Sequence, residues 1–120
     1  MTYVDGFLFA VPEANKQAFI DHCKLALPYF MKHGAVRYVE SWGDDVPEGE
    51  TNSMHTAVMR KEGEVVCFSW IEWPDKATRD AAMEGIMADM GADGVDMMAM
   101  PFDGKRMIFG GFVPVVEASA

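Results

Sequence analysis

A chain of 120 residues with 10 Lys and Arg against 19 Asp and Glu carries a net charge of −9 at neutral pH. Long-range repulsion therefore disfavours nucleic acid and anionic membranes as partners. Half of the residues are hydrophobic and 24% are charged, which excludes wholesale disorder and suits a single domain over 1–120 that needs no disulfide or metal staple.

Two cysteines stand in no paired motif, and the opening Met1-Thr2-Tyr3-Val4-Asp5-Gly6 lacks the basic region of a signal peptide. No apolar run reaches the length of a membrane span. These features predict a soluble protein of the reducing cytoplasm.

Tyr3 to Val11 reads as the first strand, rich in aromatic and β-branched residues. Tyr3, Asp5, Phe7 and Phe9 share one of its faces; Val4, Gly6, Leu8 and Ala10 share the other. Pro12 suits a first helical position, and Glu13 suits the positive end of a helix dipole. Phe19, Cys23, Leu27 and Phe30 then recur at helical spacing, and Lys32-His33-Gly34 makes a good stop. Pro28 lies inside this span and predicts a kink or a break.

Val36 to Trp42 is the second predicted strand, and Gly43 to Ser53 an acidic loop with Pro47 and Gly49. Met54 to Arg60 fits strand or short helix, and a Thr51-Asn52-Ser53 cap favours helix. Val65 to Trp73 is the clearest strand, ended by Pro74. Asp75 can cap a second long helix whose apolar stripe is Ala82, Met83, Ile86, Met87 and Met90. Gly91 to Met100 reads as loop and Phe102 to Lys105 as a turn. Arg106 to Val115 is the last strand, with Pro114 near its end.

The order β-α-β-β-α-β predicts an α+β domain with a ferredoxin-like antiparallel sheet. Right-handed crossovers put both helices on one face. The other face, expected to carry Phe7, Phe9, Trp42, Phe68 and Trp70, is too apolar to meet water. A second copy packed sheet to sheet is the economical cover, so a homodimer is expected.

Four segments carry a resemblance: Tyr3-Val4-Asp5-Gly6-Phe7, Asp44-Asp45-Val46-Pro47, Phe68-Ser69-Trp70-Ile71-Glu72-Trp73-Pro74, and Met100-Pro101-Phe102-Asp103-Gly104-Lys105-Arg106-Met107-Ile108. The last continues to Gly110-Gly111-Phe112 and is the most specific. Through them the sequence resembles the YbaA-like family of bacterial proteins (domain of unknown function 1428), from Tyr3 to about Phe112. The resemblance implies a subunit of a dimeric α/β barrel, and it implies no reaction. Related barrels include cofactor-free monooxygenases and small-ligand binders, an analogy of fold alone. The Met-rich stretch from Met90 to Met100 departs most from the family pattern.

Asp5, Glu40 and Glu72 are carboxylates within predicted strands. On an aromatic face Asp5 sits with Phe7, Glu72 with Trp70, and Glu40 with Tyr38 and Trp42. A carboxyl among rings is desolvated, which raises its pKa and suits acid–base work. The alternative is a structural ion pair with Arg37 or Arg106. Antiparallel pairing of the first and third strands could bring Asp5 and Glu72 to one end of the sheet, near Trp70, as a proton-sharing pair. The candidate site is therefore Asp5 and Glu72 as catalytic carboxyls, with Tyr38, Trp70 and Arg106 as binding residues. Arg106 is the member that pairing carries towards the opposite end. Lys105 and Arg106 together suit an anionic substrate.

His22, His33 and His55 have no metal-ligand spacing, and no Cys-x-x-Cys occurs. No metal or cofactor is expected. Cys23 and Cys67 alternate into apolar company and read as buried thiols. Met83, Met87 and Met90 have the spacing of a core stripe, while Met97 to Met100 suit either packing or contact with an apolar ligand. Gly104 fits a turn, and Gly110-Gly111 a bulge or a close backbone approach.

Three functions remain open on this reading. The chain binds a small apolar or anionic molecule in a pocket on the dimer-facing side of its sheet. Or it is a cofactor-free oxidoreductase, monooxygenase or isomerase on the same pocket, with Asp5 or Glu72 as base. Or it is a structural or interaction module.

Overall fold

The computed structural model describes residues 2–96 and 98–120. Strands β1 (Tyr3–Pro12), β2 (Arg37–Trp42), β3 (Glu64–Trp73) and β4 (Ile108–Phe112) form one antiparallel sheet in the order β2-β3-β1-β4. Helices α1 (Lys16–Lys32), α2 (Met54–Ala57) and α3 (Lys76–Ala92) complete an α+β architecture. No helix among the described residues is long and apolar enough to cross a membrane.

The registers sort side chains into rows. One face presents Tyr38, Ile71, Asp5 and Gly111 in line, then Glu40, Ser69, Phe7 and Phe109, then Trp42, Cys67 and Phe9. Ala26 and Phe30 of α1 and Ala82, Ile86 and Met90 of α3 pack with Tyr3, Ile71 and Trp73 of this face. Phe19 joins Phe9, Val11 and Cys67 in a second cluster. This is the helix-side face.

The opposite, open face presents Arg37, Glu72, Val4 and Phe112, then Val39, Trp70, Gly6 and Gly110, then Ser41, Phe68, Leu8 and Ile108. One end of it is covered: Val58, fully buried, and Val46 pack on Ala10, Val66 and Leu8. The loop carrying α2 thus folds back over that end.

This division corrects the expected faces. Asp5, Phe9 and Trp42 point to the helices, and only Phe68 and Trp70 of the expected set stand squarely on the open face. Alternation states which residues share a face, but both faces here carry aromatic rings. The helices take the one with the longer row of large side chains.

Other boundaries moved for local reasons. β1 runs on to Pro12, and a 3-10 turn at Glu13–Asn15 precedes α1, so Pro12 is a strand end and not a first helical residue. No break occurs at Pro28, which lies inside α1. Pro28 and Lys24, whose carbonyl loses its amide partner, are both exposed, so water can satisfy that oxygen.

Met54–Ala57 is helical behind a capping box, with Ser53 Oγ accepting from the Thr56 amide at 3.0 Å and Thr56 Oγ1 accepting from the Ser53 amide at 3.0 Å. Asp75 caps α3 by accepting from the Thr78 amide at 2.7 Å. Ala82, Ile86 and Met90 form its buried stripe, whereas Met87 is 56% exposed, one residue past Ile86 and so a third of a turn away from the core. The last strand begins only at Ile108, because Gly104–Arg106 winds into a 3-10 turn.

Gly85 sits in the middle of α3, where Ala ordinarily gains about 1 kcal/mol over Gly. Here a Cβ would press into the ring of His33, which is held by Asp89 Oδ2 at 2.7 Å. Gly85→Ala should therefore lower stability by about 1–3 kcal/mol in urea unfolding, the usual cost of overpacking. A stabilised variant would contradict this packing.

Candidate functional site

Two concavities lie back to back on the sheet. The first, on the open face, is a trough of about 680 Å³. Its floor is the row in which Gly6 stands beside Gly110, so two neighbouring positions of a central row carry no side chain. The Phe112 ring leans over them: a Cβ on Gly6 would lie 3.6 Å from it, and one on Gly110 3.4 Å. Leu8, Phe68 and Ile108 form apolar walls. Phe68 is 45% exposed and Phe112 60%.

One end of the trough is polar. Trp70 Nε1 donates to Glu72 Oε2 at 3.1 Å. Arg37 Nε lies 4.0 Å from the same oxygen, and its guanidinium stands 5.9 Å from the centre of a Trp70 ring.

The second concavity is a chamber of about 140 Å³ between the helix-side face and α1. Phe7, Phe30, Ile71, Met90 and Met107 are among its apolar walls. Glu40 reaches into it from β2, beside Ser69 on β3. Glu40 Oε2 is buried and has no hydrogen-bond partner among the described residues.

Burial pushes the Glu40 carboxyl above its ordinary range, while the nearby Tyr38, Ser69 and Cys23, none of them in hydrogen-bonding geometry to Oε2, pull it partly back. Burial, with the Glu40 charge adding to it, raises the Cys23 thiol to about 12 and raises the Tyr38 phenol as well. Burial lowers His22, favouring its neutral ring. Every titratable neighbour of Glu40 in the chamber is thus biased towards its uncharged form.

The expected site residues are distributed over four places. Asp5 is buried on the helix side, where Trp73 Nε1 donates to its Oδ2 at 2.9 Å and Arg79 Nε lies 3.2 Å from its Oδ1. Arg79 also donates to the Tyr3 hydroxyl at 2.9 Å and lies over the Tyr3 ring. Gly111, opposite Asp5, leaves the room this network needs, since a Cβ there would collide with Tyr3 and Arg79.

Glu72 and Trp70 lie on the open face, so Asp5 and Glu72 stand on opposite sides of the sheet and are not brought together. Tyr38 lines the Glu40 chamber. Arg106 serves as a clamp. Its guanidinium makes two hydrogen bonds to Glu64 at 2.7 and 2.6 Å, a third to Asp103 at 3.0 Å and a fourth to the Met59 carbonyl at 2.9 Å. That ties the 3-10 turn to the start of β3 and to the segment after α2.

The histidines and cysteines divide similarly. His33 pairs with Asp89, and His55 lines neither concavity. Cys23 and Cys67 are free thiols. Among the described residues no group of His, Cys, Asp or Glu is arranged to hold a metal ion. Of the Met-rich loop, Met100 lines the chamber and Met98 is 73% exposed; Met97 lies outside the described residues. Sequence reasoning named Glu40 but left it out of the site. The signal was present, since Glu40 alternates with Tyr38 and Trp42 on the face that the helices cover.

The family described as "Protein of unknown function (DUF1428)" matches residues 2–104. The chain belongs to this family. It is 46% identical over 117 residues to the "Uncharacterized protein YbaA" of Escherichia coli strain K12, an alignment covering 98% of this chain and 99% of that relative. The YbaA proteins of Escherichia coli O157:H7 and Shigella flexneri match equally well. The DUF1428 match takes in Asp5, Glu40, Trp70 and Glu72. The Gly110-Gly111-Phe112 segment lies beyond it, within the 117-residue alignment to the YbaA proteins.

Two predictions follow from these positions of the DUF1428 chain. Asp5→Ala leaves Trp73 Nε1 without an acceptor and takes from the half-buried Arg79 the carboxylate that β1 supplies, leaving it Asp80 and the Tyr3 hydroxyl. It should cost about 3–5 kcal/mol in chemical unfolding, the usual cost of breaking a buried pair; a loss below about 1 kcal/mol would show the network to be dispensable.

Glu40 carries a pH signature. Its folded pKa lies above its ordinary 4.5, so the folded chain binds that proton more tightly than the unfolded chain. Its contribution to stability is therefore lost as pH rises from the ordinary value through the folded one. The stability difference between wild type and Glu40→Gln, followed by urea midpoints, should move against wild type across that window. Parallel curves would contradict a desolvated Glu40.

Proposed function

We propose that this chain is the ferredoxin-like subunit of a dimeric α/β barrel, a homodimer closed through its open sheet face. We further propose that it binds a small apolar or anionic molecule in the trough on that dimer-facing side. The observation that carries the reading is the glycine-floored trough of about 680 Å³ in an otherwise apolar face. Exposed rings on that face call for cover, and Gly6 and Gly110 leave a slot where two such faces meet. Arg37 at the polar end supplies one cation for a carboxylate or phosphate on the ligand. The net charge of −9 supports a partner set without nucleic acid or membrane, and two free thiols support a cytoplasmic setting.

A second reading, a cofactor-free oxidoreductase, monooxygenase or isomerase, draws its support from Glu40. A desolvated carboxyl beside a cavity is what general acid–base chemistry needs. Asp5 is a poor base, since Trp73 and Arg79 occupy its oxygens.

Light scattering at micromolar concentration should give twice the chain mass, and Phe68→Glu should dissociate or unfold the particle. A stable monomer would overturn the dimer. For the ligand, the apolar anion anilinonaphthalene sulfonate should bind with a fluorescence gain, several-fold more weakly in Arg37→Ala. Binding that is absent, or indifferent to Arg37, would remove the anion site from the trough.

A further inference from the structure

The Glu40 chamber lies on the other side of the sheet from the trough, and nothing in the dimer reading uses it. We propose that it is a binding site for a single-ring neutral phenol, held with its hydroxyl donating to Glu40 Oε2. The proposal stands on the size, walls and one polar atom of the chamber, and is independent of what covers the open face.

Size comes first. An apolar cavity of about 150 Å³ accommodates one benzene ring, and this chamber measures about 140 Å³.

The walls favour an aromatic guest. Phe7, Phe9 and Phe30 offer ring faces and edges, and Met90, Met100 and Met107 offer thioethers. Sulfur–aromatic contacts are favourable, and methionine adapts its shape to the guest.

The polar atom sets the chemistry of the guest. A buried oxygen without a donor is costly, and a ligand that supplies the donor recovers that cost. Lys and Arg are absent from the described lining, so an anionic ligand would meet Glu40 with no compensating cation. The remaining polar groups facing the chamber are His22 and Cys23 from α1, Tyr38 from β2 and Ser69 from β3. A phenol hydroxyl delivers one donor and no charge. Entry is available beside α1, where Leu25 is 52% exposed and His22, Val95 and Met100 are half-exposed.

The test is a set of amide NMR titrations of the intact chain with three probes: phenol, toluene as its isostere without a donor, and benzoate as the anion. Phenol should shift the amides of Ala26, Glu40, Ser69 and Ile71 saturably, binding about tenfold more tightly than toluene, as one hydrogen bond to a buried carboxylate warrants. Benzoate should leave those amides unmoved. In Glu40→Leu, phenol should fall to the affinity of toluene. Equal affinity of phenol and toluene for the wild-type chain would overturn the proposal, and needs no variant to fold. So would benzoate shifting the same amides, or millimolar phenol leaving them in place.

Discussion

A four-stranded sheet has two faces, and this chain has two long helices, enough to cover one. Everything else in the molecule follows from how that shortage is resolved. β1 feels it most, because it is flanked by β3 and β4 and its residues alternate between a core and an open surface. Phe9 and Val11 are 3% and 0% exposed, whereas Val4, Gly6 and Leu8 look outward with only the Val46–Val58 segment covering one end. A sheet apolar on both sides with cover on one calls for a second layer from elsewhere. The trough is the part of that surface where side chains are missing, and the chamber is the part of the core where packing is incomplete.

Two arginine-centred networks join elements of the fold, and Glu40 belongs to neither. Asp5, Arg79, Tyr3 and Trp73 gather in one network beneath Gly111, and Arg106 with Glu64 and Asp103 fastens the turn before β4. In both networks an arginine reaches a carboxylate of another element, so each fixes how one element sits on another. Arg106 holds the Glu64 carboxyl below its ordinary value. Glu40 has no cationic partner among the described residues, and that difference in surroundings separates it from Asp5 despite their shared face.

The strands, the two long helices and their order were legible in the sequence because periodicity reports local structure directly. Val65–Trp73 alternates cleanly, and Asp75 is followed by Ala82, Ile86 and Met90 at helical spacing. The Ser53–Thr56 box was legible because a cap needs only neighbours in sequence. The candidate site was less so. Joining Asp5 to Glu72 required knowing which face of each strand the helices cover, and Phe7, Phe9, Phe68 and Trp70 give aromatic residues to both. Parity alone separates the two: Asp5 pairs with Ile71, so Glu72 falls on the other side. Arg106 was misplaced for another reason. Its role depends on Glu64, 42 residues away, and no local pattern announces such a clamp. The double glycine carried both meanings at once, with Gly110 clearing the open face and Gly111 clearing the Tyr3–Arg79 network.

The central claim is that the open face is the meeting surface of two copies, and intermolecular contact tests it most directly. In a sample mixing isotope-labelled and unlabelled chains, isotope-filtered NOE spectra report only proximities between copies. The account predicts cross-chain NOEs from the methyls of Leu8 and Ile108 to the rings of Phe68 and Phe112, with none to Phe30 or Trp73 of the helix-side core. An absence of cross-chain NOEs from the open-face methyls, in a folded sample at NMR concentration, would contradict it.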